Sequence, residues 1–284
     1  MKEIYIKAKA KVNLTLEVLN KREDGYHNIK SIFQALSLHD DLKIEKIDDD
    51  VFELDTNVEK INNNQNIVYK AYTALKERFE SITGVKVTLE KKVPMQAGLG
   101  GGSADCAAFL LAMNRLFELG LSMEELKEIG KKLGADVVPC LYDHAVIAEG
   151  IGDEITEIDT DFEYDIVIIK PVISCNTKEM YEKLDCMEKT KESCGTDMVV
   201  QALKEHNVKQ IAENLYNDFE IAMQDSTLIR RIKEEFSANG ALGSLMTGSG
   251  SCVFGIFEDK ETALSAYDAL KNKYETYICT SCNA

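Results

Sequence analysis

The sequence predicts an α+β fold, in one large domain or two medium ones, and three observations support this prediction. Segments that alternate in hydrophobicity with period two are mixed with helical segments, without the regular alternation of a doubly wound sheet or a barrel. The chain has 284 residues, close to the size at which a single core stops growing. Its hydrophobic content of 45% is typical of a folded rather than a disordered chain.

The elements of the first half follow from period-two alternation and from turn and capping signals. Asp24-Gly25 is a turn signal between two strands, and Asn66 is a candidate N-cap. Ser122 and Glu125 have the spacing of a capping box. In chain order these signals predict strands at 4–19 (with a break near Lys11), 29–38, 42–47 and 51–54, a helix at 67–79, a strand at 85–91, and helices at 103–117 and 122–134.

The polar, acidic stretch 153–163 predicts a domain boundary, because it has little helical pattern. It divides the chain into a first domain at 1–160 and a second at 161–284. The second half shows the same mixture of patterns in a different order. It is predicted to contain a strand at 166–169, helices at 177–184, 196–205 and 227–236, strands at 242–246 and 252–257, a helix at 260–273 and a strand at 274–279.

The charge balance excludes several classes of partner. With 33 Lys and Arg against 49 Asp and Glu, the formal net charge is −16, which disfavours nonspecific binding to nucleic acid or to an anionic membrane. The apolar run 107–113 is too short to span a bilayer. Charged residues interrupt the first residues of the chain, so we expect no signal peptide and a cytoplasmic location.

Eight cysteines are expected to be reduced, structural thiols. Cys106 and Cys252 lie in apolar segments, where cysteine behaves as a small hydrophobic residue. Cys279 and Cys282 have the spacing of a metal or redox pair, but no second pair completes a zinc site.

The strongest chemical signal is a glycine-rich loop between a predicted strand and a predicted helix. It runs from Pro94 to Asp105 and contains Gly98, Gly100, Gly101 and Gly102. Such a loop lets backbone amides face an anion, and the following helix N-terminus favours phosphate. It lacks the Lys-Ser/Thr of a Walker A loop and the final glycine of a Rossmann fingerprint. A flexible hinge or a tight turn into the helix is the alternative interpretation.

Three weaker signals are ambiguous from the residues alone. Gly248, Ser249, Gly250 and Ser251 form a second glycine loop between two strands, which is also typical of a simple hairpin. Lys11 in a strand would need an anion if it faced the core, but periodicity favours a solvated face shared with Lys9. Asp136 after Gly134, and Asp24 before Tyr26 and His27, are typical of turn and capping residues as well as of a site.

Taken together in order and spacing, these segments resemble one enzyme family over about residues 7–257. They are similar to the galactokinase, homoserine kinase, mevalonate kinase and phosphomevalonate kinase superfamily, and among its members to kinases that act on a cytidine diphosphate alcohol. The resemblance implies a two-domain small-molecule kinase fold, with a ribosomal-protein-like N-terminal domain and a ferredoxin-like C-terminal domain. The segments that carry it are 10–14, 24–27, 94–103, 134–136 and 248–251.

The resemblance also implies a reaction and a role for each matching residue. ATP, with Mg²⁺, would donate its γ-phosphoryl group to the 2-hydroxyl of a methylerythritol carried on cytidine diphosphate, a step in isoprenoid precursor synthesis. Asp136 would be the base, and Lys11 would orient the hydroxyl and stabilise charge. Asn13 and His27 would contact the cytidine diphosphate, and Tyr26 and Tyr181 would stack on the cytosine. The ATP phosphates would be wrapped by Pro94, Met95, Gln96, Ala97, Gly98, Leu99, Gly100, Gly101, Gly102, Ser103 and Ala104.

The sequence departs from the family pattern at several positions. Gln96 replaces a usual glycine, Ala104 a usual serine, and Cys106 a usual alanine; Pro139 comes one residue late, and Asp143 replaces a glycine. Since Lys11 and Asp136 are retained, we expect an active kinase on small molecules, monomeric or homodimeric, with Mg²⁺ ligands unassigned. The alternatives are a non-catalytic nucleotide-binding paralogue and a kinase of the superfamily with another acceptor.

The cysteine analysis predicts that all eight thiols react in denaturant without prior reduction. A thiol-titrating reagent added to the unfolded protein measures this, and a metal assay on the same sample is the companion measurement. A shortfall equal to one disulfide, or stoichiometric zinc, would contradict the prediction.

Overall fold

The chain is described from a computed structural model at residues 1–173, 175–187, 195–223 and 226–283. It forms two compact units that are interleaved in sequence. The first consists of Met1–Ala10, Leu38–Val93 and Gly100–Tyr142, and the second of Lys11–Ser37, Pro94–Leu99 and Asp143–Ala284. The domains expected at 1–160 and 161–284 remain a prediction.

Two long strands, β1 (Glu3–Lys21) and β2 (His27–Ile47), are neighbours in a sheet and contribute residues to both units. In the first unit, β2 pairs antiparallel with β4 (Gly84–Glu90) through residues 41–47, and β3 (Phe52–Thr56) pairs parallel with β4. The other elements of this unit are β3 (Phe52–Thr56), α1 (Ile67–Arg78), β4 (Gly84–Glu90), α2 (Gly101–Leu116) and α3 (Met123–Leu133), followed by 3₁₀ turns at Ala135–Val137 and Pro139–Leu141.

The core of the first unit lies where α1 and α2 pack against the sheet. Leu75, Val87 and Phe109 are fully buried there, which is consistent with the apolar faces of their elements. The predicted caps are confirmed: the Asn66 side chain accepts a hydrogen bond from the amide of Val68 at 2.9 Å, and Ser122 forms a capping box with Glu125.

The second unit is built around a four-stranded antiparallel sheet in the order β11 (Glu275–Thr280), β7 (Asp165–Lys170), β10 (Val253–Phe257) and β9 (Gly243–Met246). Phe257 of this sheet packs against Phe236 of α8 (Thr227–Ala238), and Ile169 is buried in the same cluster. In chain order the elements are β5 (Val146–Glu149), β6 (Glu154–Glu157), β7 (Asp165–Lys170), α4 (Thr177–Asp185), α5 (Thr196–Lys204), α6 (Val208–Glu213), β8 (Tyr216–Asn217), α7 (Phe219–Ala222), α8 (Thr227–Ala238), β9 (Gly243–Met246), β10 (Val253–Phe257), α9 (Lys260–Leu270) and β11 (Glu275–Thr280).

The α+β class is confirmed, and several element predictions need correction. No break occurs near Lys11, and the strands expected at 29–38 and 42–47 are one strand, β2. Asp40 lies in the gap between these two predicted strands, but it is buried, and its side chain accepts hydrogen bonds from the backbone amides of Lys92 and Val93. Part of the acidic stretch 153–163 is strand β6, and α6, α7 and β8 were not predicted.

In the part of the chain that the structure describes, every helix is too short or too polar to cross a membrane. The cysteines within that part are free thiols, and Cys194 lies outside the described residues.

Candidate active site

The first glycine loop leaves β4 at Lys91 and turns into α2 through residues with positive φ. Gly98 and Gly100 have φ values of 77° and 67°, and Gln96 has a φ of 54°. This conformation explains why a glycine is usual at the position of Gln96, since residues with a Cβ adopt it at a cost. The predicted helix start at Ser103 is wrong by two residues, because α2 begins at Gly101 after its N-cap Gly100.

The second glycine loop touches the first within the second unit. The amide of Cys252 donates to the carbonyl of Ala97 at 3.1 Å, and the Thr247 hydroxyl lies 3.3 Å from the carbonyl of Gly98. A Cβ at Gly98 would stand 2.2 Å from the carbonyl oxygen of Thr247, which is impossible without movement. The glycine is therefore required by the contact between the loops as well as by its φ.

Lys11 and Asn13 of β1 lie against this junction. The Lys11 ammonium donates to Asn13 Oδ1 at 2.7 Å and stands 4.6 Å from the centre of the Phe33 ring. Lys11 is only 4% exposed, so the prediction from periodicity that it lies on a solvated face of the strand is wrong. Its backbone amide donates to the carbonyl of Leu99 at 3.0 Å, which joins β1 to the first loop.

The side chain of Asn13 is fully buried, and both of its polar atoms are hydrogen-bonded. Its Oδ1 accepts from the amide of Gly248 at 3.1 Å as well as from Lys11, and its Nδ2 donates to Ser31 at 2.8 Å. Its backbone amide donates to the hydroxyl of Thr247 at 3.0 Å. One asparagine thus fixes the lysine and the second loop together.

The two serines of the second loop, Ser249 and Ser251, form hydrogen bonds with residues other than Asn13. The Ser251 hydroxyl donates to the carbonyl of Ile173 at 2.5 Å, and the hydroxyls of Ser249 and Thr177 are 2.8 Å apart. Asn217, which sequence reasoning missed, donates to the carbonyls of Met246 and Gly248 at 2.6 and 2.9 Å. Asn217 is only 3% exposed, and its bonds hold the start of the loop.

Asp136 lies in the first unit, in the 3₁₀ turn Ala135–Val137 that follows Gly134 at the end of α3. The next residue, Val137, is fully buried in the core of this unit and anchors the turn. Asp136 itself is half-buried. Its role as a base and its alternative role as a turn residue both remain predictions.

The predicted aromatic residues Tyr26, His27 and Tyr181 all belong to the second unit. Asp24 accepts from the amide of Tyr26 at 3.1 Å, so the turn interpretation of this segment is confirmed, and Tyr26 is 60% exposed. The ring that stacks on Tyr181 is that of His27, with centroids 4.6 Å apart and planes at 12°. His27 Nε2 lies 2.7 Å from Asp185 Oδ1.

Asp185 is a further residue that sequence reasoning missed. Hydrogen bonds from Lys21 first, and then from His27, hold its pKa below the ordinary value of an aspartate. An ionised Asp185 can only accept a hydrogen bond here, so the contact requires a proton on Nε2 of His27. In the sequence, this contact could be inferred only from the spacing of Asp185, which lies four residues after Tyr181 and therefore on the same face of α4.

Comparison with known proteins identifies the class of protein that these loops and this fold define. The model of the GHMP kinase N-terminal domain matches residues 66–144, and that of the GHMP kinase C-terminal domain matches residues 199–276. The chain is similar to a crystal structure of 4-(cytidine 5'-diphospho)-2C-methyl-D-erythritol kinase, with a TM-score of 0.85, 28% identity, and coverage of 99% of this chain and 100% of that one.

Comparison with curated relatives identifies the particular family of GHMP kinases to which the chain belongs. Over 98% of this chain and 96% of the relative, it is 43% identical to 4-diphosphocytidyl-2-C-methyl-D-erythritol kinase of Caldicellulosiruptor saccharolyticus. It is also 43% identical to the protein of that name from Thermoanaerobacter pseudethanolicus, over 96% of this chain and 94% of the relative. The chain belongs to the 4-diphosphocytidyl-2-C-methyl-D-erythritol kinase family of GHMP kinases.

The junction predicts a stability cost for removing a single hydroxyl. Thr247→Val keeps the shape but leaves the buried amide of Asn13 without its acceptor, so we expect a loss of about 1–3 kcal/mol in the free energy of unfolding, measured by urea denaturation. Thr247→Ser, which keeps the hydroxyl and loses one methyl, is the control and should cost about 0.8 kcal/mol. Equal stability of Thr247→Val and the wild type would contradict the prediction.

Proposed function

We propose that this chain transfers the γ-phosphoryl group of ATP to the 2-hydroxyl of 4-(cytidine 5'-diphospho)-2-C-methyl-D-erythritol, in the methylerythritol phosphate route to isoprenoid precursors. The observation that carries the proposal is the junction of both glycine loops with Lys11 and Asn13. That junction occurs in a chain 43% identical, over nearly its whole length, to a kinase of that name.

The loop from Pro94 to Ala104 is proposed to hold the ATP phosphates. Its glycines let backbone amides approach an anion, and the N-terminus of α2 adds a positive dipole end. The Ala104 side chain is 2% exposed and packs in the core, so this residue would contribute its backbone rather than the hydroxyl usual in the family. Phosphoryl transfer depends mainly on such positioning, since the protein supplies little covalent chemistry.

Lys11 and Asp136 are proposed to act on the acceptor hydroxyl. Asp136 would accept its proton, and Lys11 would orient the oxygen and stabilise the charge that develops on it. The bond from Lys11 to Asn13 fixes the ammonium before substrate binds, so no reorganisation is needed at the moment of reaction. Asn13 would thereby contribute to acceptor binding through Lys11 as well as through its own proposed contact.

Mg²⁺ is proposed to enter with the nucleotide. The described residues contain no group of three or more His, Cys, Asp or Glu that could hold a metal by themselves. A site for Mg²⁺ does not require such a group, because Mg²⁺ keeps several waters and commonly binds through substrate phosphates with one or two carboxylates. Bound Mg²⁺ would neutralise charge on the transferring phosphoryl group.

Tyr26, His27 and Tyr181 are proposed to recognise the cytosine. The exposed ring of Tyr26 offers one stacking face, while His27 and Tyr181 already stack on each other. Asp185 fixes the His27 ring, which would allow its other nitrogen to meet a polar atom of the base. A kinase of the superfamily with another acceptor would have no need for this group.

The net charge of −16 supports small molecules rather than nucleic acid or anionic lipid as partners. We further propose that the enzyme is cytoplasmic and is a monomer or a homodimer. A non-catalytic nucleotide-binding protein is the second candidate, and the presence of both Lys11 and Asp136 disfavours it.

The proposal predicts ADP release that depends on the cytidine diphosphate alcohol. A coupled assay with a panel of acceptors, including homoserine and mevalonate, measures it. Asp136→Asn is the matched variant, because it keeps the shape but cannot accept a proton; kcat should fall by about 10²–10⁴-fold while ATP and acceptor still bind.

Turnover with mevalonate or homoserine in place of the cytidine compound would overturn the assigned acceptor. ATP binding without turnover of any acceptor would favour the non-catalytic alternative. If Asp136→Asn retains most of its turnover, Asp136 is only the turn residue that the sequence also allowed.

The aromatic group predicts a selective effect on the acceptor. Tyr26→Ala should raise the acceptor KM by the loss of about 1–3 kcal/mol of base stacking, with little change in the ATP KM. Tyr181→Ala should do the same at an added cost in stability, since its ring packs on His27 and on Phe219, whereas Tyr181→Phe keeps the ring and should be mild.

Tyr5→Ala is the control for removing an exposed tyrosine, because Tyr5 is 68% exposed and lies in the first unit. It should leave both KM values unchanged. A higher ATP KM in Tyr26→Ala, with the acceptor KM unaltered, would show that the ring serves the nucleotide instead.

A further inference from the structure

A buried ion cluster of Asp40, Lys91 and Asp105 lies in the first unit, apart from the residues assigned so far. The Lys91 ammonium is hydrogen-bonded to Asp40 Oδ2 and lies 2.6 Å from Asp105 Oδ2. The side chains of Lys91, Asp40 and Asp105 are only 5%, 0% and 4% exposed. Three buried charged groups are costly to desolvate, and their arrangement therefore calls for an explanation.

The cluster holds both ends of the first glycine loop. Asp40 Oδ1 accepts from the backbone amides of Lys92 and Val93 at 2.5 and 2.8 Å, immediately before the loop begins at Pro94. Asp105 lies in the second turn of α2, immediately after the loop ends at Ala104. Because one ammonium joins these two carboxylates, it fixes the distance between the two ends of the loop.

The two carboxylates are not equivalent. Asp40 accepts from Lys91 and from two backbone amides, which stabilise its ionised form. Asp105 Oδ2 accepts from Lys91, whereas Asp105 Oδ1 is buried and has no hydrogen-bond partner among the described residues. A buried oxygen without a partner disfavours the charge on Asp105.

The surroundings of Asp105 point the same way. Burial raises its pKa to about 8; Asp40 adds to this shift and Lys91 opposes it. The thiols of Cys106 and Cys140 also lie near Asp105, and burial raises the pKa of Cys106, so that it stays neutral. Protonation of Asp105 would leave one ammonium with one carboxylate and remove the excess negative charge.

We propose that Asp40, Lys91 and Asp105 are positioning residues for the nucleotide loop, and that the loop binds polyphosphate more tightly when Asp105 is protonated than when it is ionised. The inference rests on the proposed function, in which this loop holds the ATP phosphates. An ionised Asp105 near the N-terminus of α2 would repel phosphate bound there. By linkage, phosphate binding favours proton uptake by Asp105.

The sign of the pH dependence follows from a raised pKa in an acid. Below about pH 8 Asp105 is neutral and ATP affinity is at its highest; as the pH rises through that value, Asp105 ionises and affinity falls. Asp105→Asn is neutral at every pH and should lack this transition. It keeps the shape of the protonated acid and can still accept from Lys91.

The test is the ATP dissociation constant, with the ATP KM and kcat, from pH 6.5 to 9 for the wild type and Asp105→Asn. Across this pH range we expect the ATP dissociation constant of the wild type to rise by at least about fivefold relative to that of Asp105→Asn. The comparison removes the ionisation of ATP itself, which both proteins share. Asp41→Asn, a neighbouring carboxylate with 41% side-chain exposure, is the control and should keep the wild-type profile.

A second measurement needs no variant. At a pH near 8, where ATP is fully ionised, calorimetric titration in buffers of different ionisation enthalpy should show net proton uptake by the wild type on binding ATP. No uptake, or identical pH profiles for the wild type and Asp105→Asn, would overturn the inference alone. No ATP binding at any pH would overturn the proposed function, and this inference with it.

Discussion

The close approach of two peptide segments, at Gly98 and at Thr247, is the constraint on which the candidate site depends. No side chain fits at Gly98, since a Cβ there would stand 2.2 Å from the Thr247 carbonyl oxygen. Beside this approach, the buried side-chain amide of Asn13 is hydrogen-bonded to the backbone amide of Gly248, to Lys11 and to Ser31. The buried lysine is a consequence of that network, because Asn13 supplies the acceptor that makes its burial tolerable.

The acidic character of the whole chain contrasts with what a phosphate site at the two loops would require. A protein with a net charge of −16 that is to hold a polyphosphate must create a site where anions are not repelled. In the proposed function, backbone amides of the glycine loop, the N-terminus of α2 and the buried Lys11 would do this, rather than an exposed basic patch. Burial keeps the Lys11 ammonium from being screened by salt, and its hydrogen bond to Asn13 keeps it in place, whereas Lys91 is paired with Asp40 and Asp105.

The sequence predicted best what depends on neighbours along the chain. Helices α1 and α3 were placed within a residue or two because Asn66 and Ser122 cap them locally. Strand β2 was divided in error because Asp40 looks like a turn residue in sequence, although in the fold it accepts from Lys91, 51 residues away. Lys11 shows the same limit: periodicity assigned it to solvent, and its partners Asn13 and Phe33 explain its burial only once β1 and β2 are paired.

Within the candidate site, the glycine loops were predictable and their mutual support was not. A glycine cluster before a helix signals an anion site by composition, whereas the bonds from Asn217 to the second loop and from Asp185 to His27 join residues 31 and 158 positions apart. Most of these missed residues orient another residue instead of facing a ligand in the proposed roles. For phosphoryl transfer this division of tasks has a physical reason: the reaction is promoted by dipoles and charges fixed in advance, so the buried polar groups that fix them matter as much as the groups that meet the phosphate. In the proposed function, acceptor choice would depend on Tyr26, which is 60% exposed, so the acceptor could change while both glycine loops are retained.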